Sequence, residues 1–279
     1  MNDLKVTIIQ SDLHWEDKQK NIELFSETIT AISEPTDLIV LPEMFTTGFS
    51  MSPEKFAEPM TGTTINWMKQ KAKEKNCVIT GSFICEEKGK HYNRLVWMNV
   101  DGTCSTYDKR HLFRMGDEDN HYGHGQKKII VELKGWKICP LICYDLRFPV
   151  WSRNKSGVRS QELVDKKETD LSVLRSPDYD LLIYVANWPE RRAHPWKSLL
   201  VARAIENQSY VIGVNRIGND GHDIYHSGDS VVLNAKGESI SKIKSHEDSI
   251  ETITLNYNEL VEFRKIFPVA LDADEFEIQ

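Results

Sequence analysis

Three side chains in this sequence have the chemistry of a covalent catalyst. Glu43 closes the apolar run D-L-I-V-L-P-E, Lys109 sits in Y-D-K-R-H-L-F, and Cys143 sits in C-P-L-I-C-Y-D-L-R-F. A free thiol titrates at about 8.5, and a neighbouring ammonium together with a helix N-terminus draws it down. A carboxylate beside the thiol takes its proton or activates water. The backbone N–H just past the nucleophile, with the lysine, holds an oxyanion. Together the three suit acyl transfer through a thioester, with Glu43 as the base because no histidine is among them. Singly, each has an ordinary alternative: a strand-end acid, a surface lysine and an inert buried thiol.

The elements that must position them are legible as alternating strands and helices. Lys5 to Gln10 reads as a strand, followed by a helical pattern through Ile22, Phe25, Ile29 and Ile32. Asp37 to Glu43 is continuously apolar, as in a strand buried on both faces. A helix over 62–76, strands over 77–85 and 92–100, and an Asp101-Gly102 hairpin into 103–107 follow. The pattern then restarts: strand 138–144, strand 180–187, helix 196–208 and strand 210–215, with further strands expected at 229–234, 239–244 and 251–256. Two halves of the same alternation favour one layered α/β domain over residues 1–279 with an internal pseudo-repeat. In such folds, catalysts gather at the carboxyl ends of strands, which is where Glu43 and Cys143 fall. The polar stretch 155–177 has no clear period and is expected to be a surface insertion, a flap or a subunit contact. Residues 257–279 are expected to form a C-terminal helix and tail.

Composition narrows the function. The chain has 279 residues, 42 acidic against 35 basic, and a formal charge of −7, so it lacks the basic excess of a nucleic-acid binder. Its apolar runs fall short of the roughly 20 residues that span a bilayer, and no secretory leader is visible. Five cysteines is an odd number for a disulfide framework and fits reduced thiols in the cytoplasm. The expectation is a cytoplasmic enzyme with neither a nucleic-acid nor a membrane partner.

The sequence resembles a family. L-P-E-M-F-T-T-G-F at 41–49, Y-D-K-R-H-L-F at 107–113 and L-I-C-Y-D-L-R-F-P at 141–149 are similar to the three signature blocks of the nitrilase, or carbon–nitrogen hydrolase, superfamily. The resemblance extends to A-N-W-P at 186–189, R-A-I-E-N-Q at 203–208, H-S-G-D-S-V-V at 226–232 and D-A-D-E-F at 272–276. It implies a four-layer αββα sandwich, a homodimer and no cofactor. The segment R-M-G-D-E-D-N-H-Y-G-H-G at 114–125 and the tail look most like the omega-amidase branch, which hydrolyses the terminal amide of 2-oxoglutaramate and 2-oxosuccinamate. By that resemblance Glu43 is the general base, Lys109 the oxyanion lysine, Cys143 the nucleophile and Glu118 the second glutamate that holds lysine and substrate. The Tyr144 N–H is the second oxyanion donor. Lys109→Ala is expected to keep the fold and lose most turnover. The 155–177 stretch is longer than the branch usually carries.

An omega-amide of this class also carries a carboxylate, which needs a cationic receiver. Arg147, Arg191, Arg192 and His194 are the candidates, with Phe45, Phe113 and Trp188 as walls. Arg147 has the alternative of an ion pair with Asp145. Other small-molecule amidases, nitrilases and N-carbamoyl amidases share the chemistry. A metal site from His111, His121, His124, Cys139 and Cys143 matches no tight zinc spacing, and a non-catalytic scaffold would not need all three reactive residues.

Overall fold

A computed structural model describes residues 2–154, 177–274 and 276. The expected insertion therefore lies outside the described residues, save residue 177. In chain order the strands are β1 (Leu4–Gln10), β2 (Leu38–Val40), β3 (Val78–Glu87), β4 (Lys90–Met98), β5 (Cys104–Asp108), β6 (Val131–Leu133), β7 (Trp136–Ile142), β8 (Leu181–Ala186), β9 (Tyr210–Asn215), β10 (Ile217–Asn219), β11 (Tyr225–Ser227), β12 (Val231–Leu233) and β13 (Ser249–Leu255). The long helices are α1 (Lys18–Ala31), α2 (Thr63–Lys75), α3 (Ala193–Asn207) and α4 (Tyr257–Ile266).

Two sheets result, in the orders β13-β1-β2-β3-β4-β5 and β12-β9-β8-β7-β6, with β10-β11 as a separate ribbon. Each sheet has three parallel strands at its centre, β1-β2-β3 and β9-β8-β7, flanked on both sides by antiparallel neighbours. This is the pseudo-repeat in topological form, and it brings the carboxyl ends of the central strands of each half to one edge.

Period-two alternation sorts the strand side chains between layers. Val6, Ile8, Leu38, Val40, Leu95 and Trp97 point into the core shared by the two sheets, where they meet Ile138, Leu141 and Ile183. Their neighbours Ile9, Ile39, Val96 and Met98 point the other way, onto Phe25 and Ile29 of α1 and Ile65, Met68 and Ala72 of α2. Outside the second sheet α3 lies directly on β9: a Cβ at Gly213 would come within 2.6 Å of Leu200 and 2.9 Å of Trp196. Helix, sheet, sheet and helix thus stack as an αββα sandwich. Both faces of each central strand are buried, which is why β2 and β8 read as unbroken apolar runs.

Two expected strands change. The run 37–43 is extended only over Leu38–Val40, because Pro42 has no N–H to give a ladder and Met44 turns back at φ 43°. Residues 239–244 make a single bridge, Ser239 to Leu233, in place of a strand. β12 offers three residues to pair with, and Ile240 and Ile243 instead drop onto the core. Among the described residues no helix is long and apolar enough to cross a membrane.

Candidate active site

Glu43, Lys109, Cys143 and Asn187 all follow strand ends: Glu43 lies three residues past β2, and the others directly after β5, β7 and β8. Local geometry turns each inward. The Lys109 N–H donates to the Asn93 carbonyl at 3.0 Å, and the Lys109 carbonyl accepts from Gly125 N at 2.8 Å. Only glycine fits at 125, since a Cβ there would stand 2.0 Å from the Asp108 carbonyl oxygen. Cys143 was expected to end its strand; it instead opens a 3-10 turn, Cys143–Arg147, at φ 43°. A non-glycine residue in that region carries strain, of the kind held at functional elbows. The first N–H groups of the turn, Tyr144 among them, have no carbonyl of a preceding turn to bond.

The side chains meet in one charge cluster. Glu43, Lys109 and Glu118 are each 0% exposed. Lys109 Nζ donates to Glu43 Oε1 at 2.9 Å and to Glu118 Oε1 and Oε2 at 3.0 and 2.9 Å. An ammonium has three N–H bonds. Sharing one between the two Glu118 oxygens and giving one to Glu43 leaves the third for the pocket that Lys109 lines. The ring of Phe49 lies 5.0 Å from Nζ. Burial pulls the Lys109 pKa down, but Glu118 and Glu43 outweigh it, and the net shift is upward. Glu118 is fixed further by the Phe113 N–H at 2.6 Å, and burial, opposed by Lys109 and joined by Glu43, raises its pKa. Asn187 clamps Glu43 from the second sheet: its N–H donates to Oε2 at 2.7 Å and its Nδ2 to the Glu43 carbonyl at 2.5 Å.

Cys143 faces this cluster, and the structure corrects the expected thiolate. Burial and the nearby Glu43 carboxylate push its pKa well above the ordinary value; Lys109 opposes them and loses. Two carboxylates face one ammonium here, so a thiolate would add a second uncompensated negative charge. The environment of Cys143 therefore favours the neutral thiol over the thiolate.

A second buried carboxylate, Asp145, ties the nucleophile turn to the lysine loop. Its Oδ2 accepts from Tyr107 OH at 2.7 Å and Ile142 N at 3.1 Å, and its Oδ1 accepts from His111 N at 3.0 Å and lies 2.8 Å from His111 Nδ1. Tyr107 and His111 sit two residues either side of Lys109. With Asp145 so engaged, Arg147 does not pair with it; the guanidinium lies over the Trp188 ring at 5.0 Å.

Tyr144, Phe113, Arg147 and Trp188 line a pocket with Cys143 and Lys109, as do Arg191 and Arg192. Its volume is about 150 Å³, a size that holds one small organic molecule. Arg192 lies 5.0 Å over the Phe113 ring. Among the described residues none of the three arginines has an acidic partner. Burial and the charge of Arg191, with a further push from Arg147, lower the Arg192 pKa. Three guanidinium groups with no acidic partner among the described residues give this side of the pocket a positive character, with Asp220 also in its lining. Two expected residues fall elsewhere. His194 is exposed on the first turn of α3 and does not line the pocket; the helix register that buries Trp196 turns it to solvent. Phe45 lies in the core, edge-on to Phe25 at 5.6 Å. Of the histidines and cysteines considered for a metal, Cys139 is buried among apolar side chains and His111 serves Asp145. Among the described residues no group of three such donors is close enough to hold an ion.

Comparison with known proteins agrees with this arrangement. The carbon–nitrogen hydrolase family model matches residues 5–265. The chain belongs to the carbon–nitrogen hydrolase family. It is 43% identical to omega-amidase YafV of Escherichia coli strain K12 with all of both chains covered, and 29% identical to a 2-oxoglutaramate amidase of Bacillus subtilis over 95% of each. Among solved structures, XC1258 of Xanthomonas campestris, a carbon–nitrogen hydrolase superfamily protein with an arsenic adduct in its active site, superposes with a TM-score of 0.92 at 39% identity, covering all of both chains. The nitrilase-superfamily resemblance and the αββα fold expected from the motifs therefore hold, and the protein is a carbon–nitrogen hydrolase.

Proposed function

We propose that this enzyme hydrolyses the terminal amide of a small 2-oxo dicarboxylic acid monoamide, 2-oxoglutaramate or 2-oxosuccinamate, to the acid and ammonia through a thioester on Cys143. The observation that carries the reading is the shared pocket: Cys143 and Lys109 line it, Glu43 sits behind them on Lys109, and three arginines with no acidic partner among the described residues line it too. The cluster acts on an amide; the arginines receive the carboxylate at the far end of the same small molecule. The names of the two amidase relatives support the same substrate class.

The steps follow from the geometry. Glu43 takes the thiol proton as Cys143 Sγ attacks the amide carbonyl carbon. The free N–H of Lys109 and the Tyr144 N–H hold the oxyanion. Glu43 returns the proton to the nitrogen, the C–N bond breaks and ammonia leaves. Glu43 then deprotonates a water, which attacks the thioester; collapse releases the acid, and the sulfur recovers its proton. A base that starts beside a protonated thiol makes attack and deprotonation concerted, so no free thiolate need form in the buried site. Glu118 keeps Lys109 charged and oriented throughout.

The deciding assay measures ammonia release from 2-oxoglutaramate beside glutamine, asparagine, an N-carbamoyl amino acid and a simple nitrile. Turnover of the 2-oxo acid amide well above all others is expected; preference for any other arm overturns the substrate assignment. Truncating an arginine tests the anion site separately. Arg192→Ala and Arg147→Ala each remove a charge-assisted contact worth about 1.5–3 kcal/mol. Each is expected to lower kcat/KM about 10- to 100-fold, mainly through KM, because the contact lies away from the reacting carbon. Unchanged KM in both variants places the carboxylate elsewhere.

A further inference from the structure

We propose that Asn93 is a positioning residue of the catalytic base: a neutral donor that straddles Glu43 and Glu118, keeping both anionic and leaving Glu43 Oε2 as the oxygen that serves the thiol. Asn93 lies on β4 opposite Ile84 of β3 and is fully buried. It touches all three charged members of the cluster. Its Nδ2 donates to Glu43 Oε1 at 2.8 Å and to Glu118 Oε1 at 3.3 Å, and its carbonyl accepts the Lys109 N–H at 3.0 Å. Its Oδ1 is buried with no hydrogen-bond partner among the described residues. A buried acceptor left unmade is a cost that native interiors avoid. Turning the amide over would place that oxygen against two carboxylates, so the orphan is the consequence of aiming the NH2 group at them.

The charge balance explains why an amide stands here. Glu43 and Glu118 share one ammonium, so the cluster is short of positive charge. Glu43 Oε1 is held by Lys109 and Asn93 together, and Oε2 only by the Asn187 N–H. The less engaged oxygen keeps the more basic lone pair. A second lysine at 93 would quench that basicity, and an aspartate would add a third carboxylate. An amide donates without titrating. The groups facing Glu43 and Glu118 are thus Lys109, Asn93, Asn187, the Phe113 N–H and the Cys143 thiol, with Tyr122 beside Glu118.

The test reads the base without a substrate, although the role itself rests on the proposed hydrolase chemistry. Cys143 is alkylated with iodoacetamide across pH 4 to 9 in the full-length protein, and the rate at that residue is followed by mass spectrometry. Removing one hydrogen bond to a charged group shifts a carboxylate by about one unit. In Asn93→Ala the acid limb of Cys143 alkylation is expected to move up by about one pH unit, with an alkylation rate about tenfold lower on that limb and a similar fall in kcat at little change in KM. Asn93→Asp, which keeps the shape and loses the donor, is expected to shift at least as far. If Asn93→Ala does not fold, the isosteric aspartate variant carries the same comparison. Profiles that superimpose on wild type in a folded variant overturn the proposal, as does an aspartate variant indistinguishable from wild type, which reduces Asn93 to packing. Wild-type protein that turns over no 2-oxo acid amide, with an Asn93 variant that still shows the alkylation shift, sinks the substrate assignment and leaves Asn93 standing.

Discussion

Cys143→Ala is expected to lose turnover by about four orders of magnitude or more while remaining folded. Knocking out a nucleophile that works as one unit with its base removes nearly the whole covalent route. No second nucleophile is on hand: Lys109 is protonated and held by two carboxylates, and Cys139 is buried in the core between the sheets. The stability change is small because Sγ borders the pocket rather than filling the core. Alanine meets the same positive φ at 143 with no greater strain, and Glu43, Lys109 and Glu118 keep one another. A melting temperature within a few degrees of wild type, with loss of thioester trapping by hydroxylamine, is the expected pair of readings. An alanine variant that keeps a hundredth of wild-type turnover removes Cys143 from the reaction.

Lys109→Ala behaves differently. On sequence grounds it keeps its fold, and the buried ion pairs add a stability cost to that expectation. Among the described residues the ammonium is the only cation that Glu43 and Glu118 bond, and all three side chains are fully buried. Its loss leaves two buried carboxylates facing an amide. Breaking a buried ion pair from one side typically costs about 3–5 kcal/mol. At about 2–4 °C per kcal/mol for a chain of this size, the melting temperature is expected to fall by about 10 °C. Turnover falls about 100- to 1000-fold for the lost oxyanion donor alone. The deficit depends on pH with a definite sign. Without Lys109 the folded-state pKa of Glu118, already raised, rises further above its unfolded value. The folded form then gains most below the unfolded carboxylate range and loses that gain as pH climbs through the raised folded value. The gap in melting temperature between variant and wild type is therefore expected to be widest at neutral pH and to narrow toward pH 4. A pH-independent gap argues that the lysine acts by packing.

The pair also separates two properties that one cluster holds together. In the proposed mechanism Cys143 supplies chemistry and little stability; Lys109 supplies both, because its charge would hold the oxyanion and it pairs with two buried carboxylates. Glu118 belongs with the lysine. It touches no reacting atom in the steps above, yet its two oxygens and the Phe113 N–H set where the ammonium points.

Local sequence determined much of this. Apolar runs that close on a glutamate or a cysteine announce a carboxyl-edge site, since a charged group is costly inside a strand buried on both faces. Period-two and period-3.6 patterns placed β1, β9, α1 and α2 within a few residues, and the three motif blocks carried the family. What only the folded chain decided are properties summed over distant segments. The upward shift of the Cys143 thiol comes from burial first and then from charges arriving from 43, 109 and 118, and no window around 143 contains that sum. Asn93 reads as one more polar residue in a strand until β4 pairs between β3 and β5 and its side chain meets Glu43 and Glu118. His194 was lost, and Arg147 turned onto Trp188, through helix register and the prior engagement of Asp145. Sequence dictates which groups are reactive and which faces are buried, because those follow from neighbours along the chain. Charge balance and the direction of each side chain wait on neighbours in space.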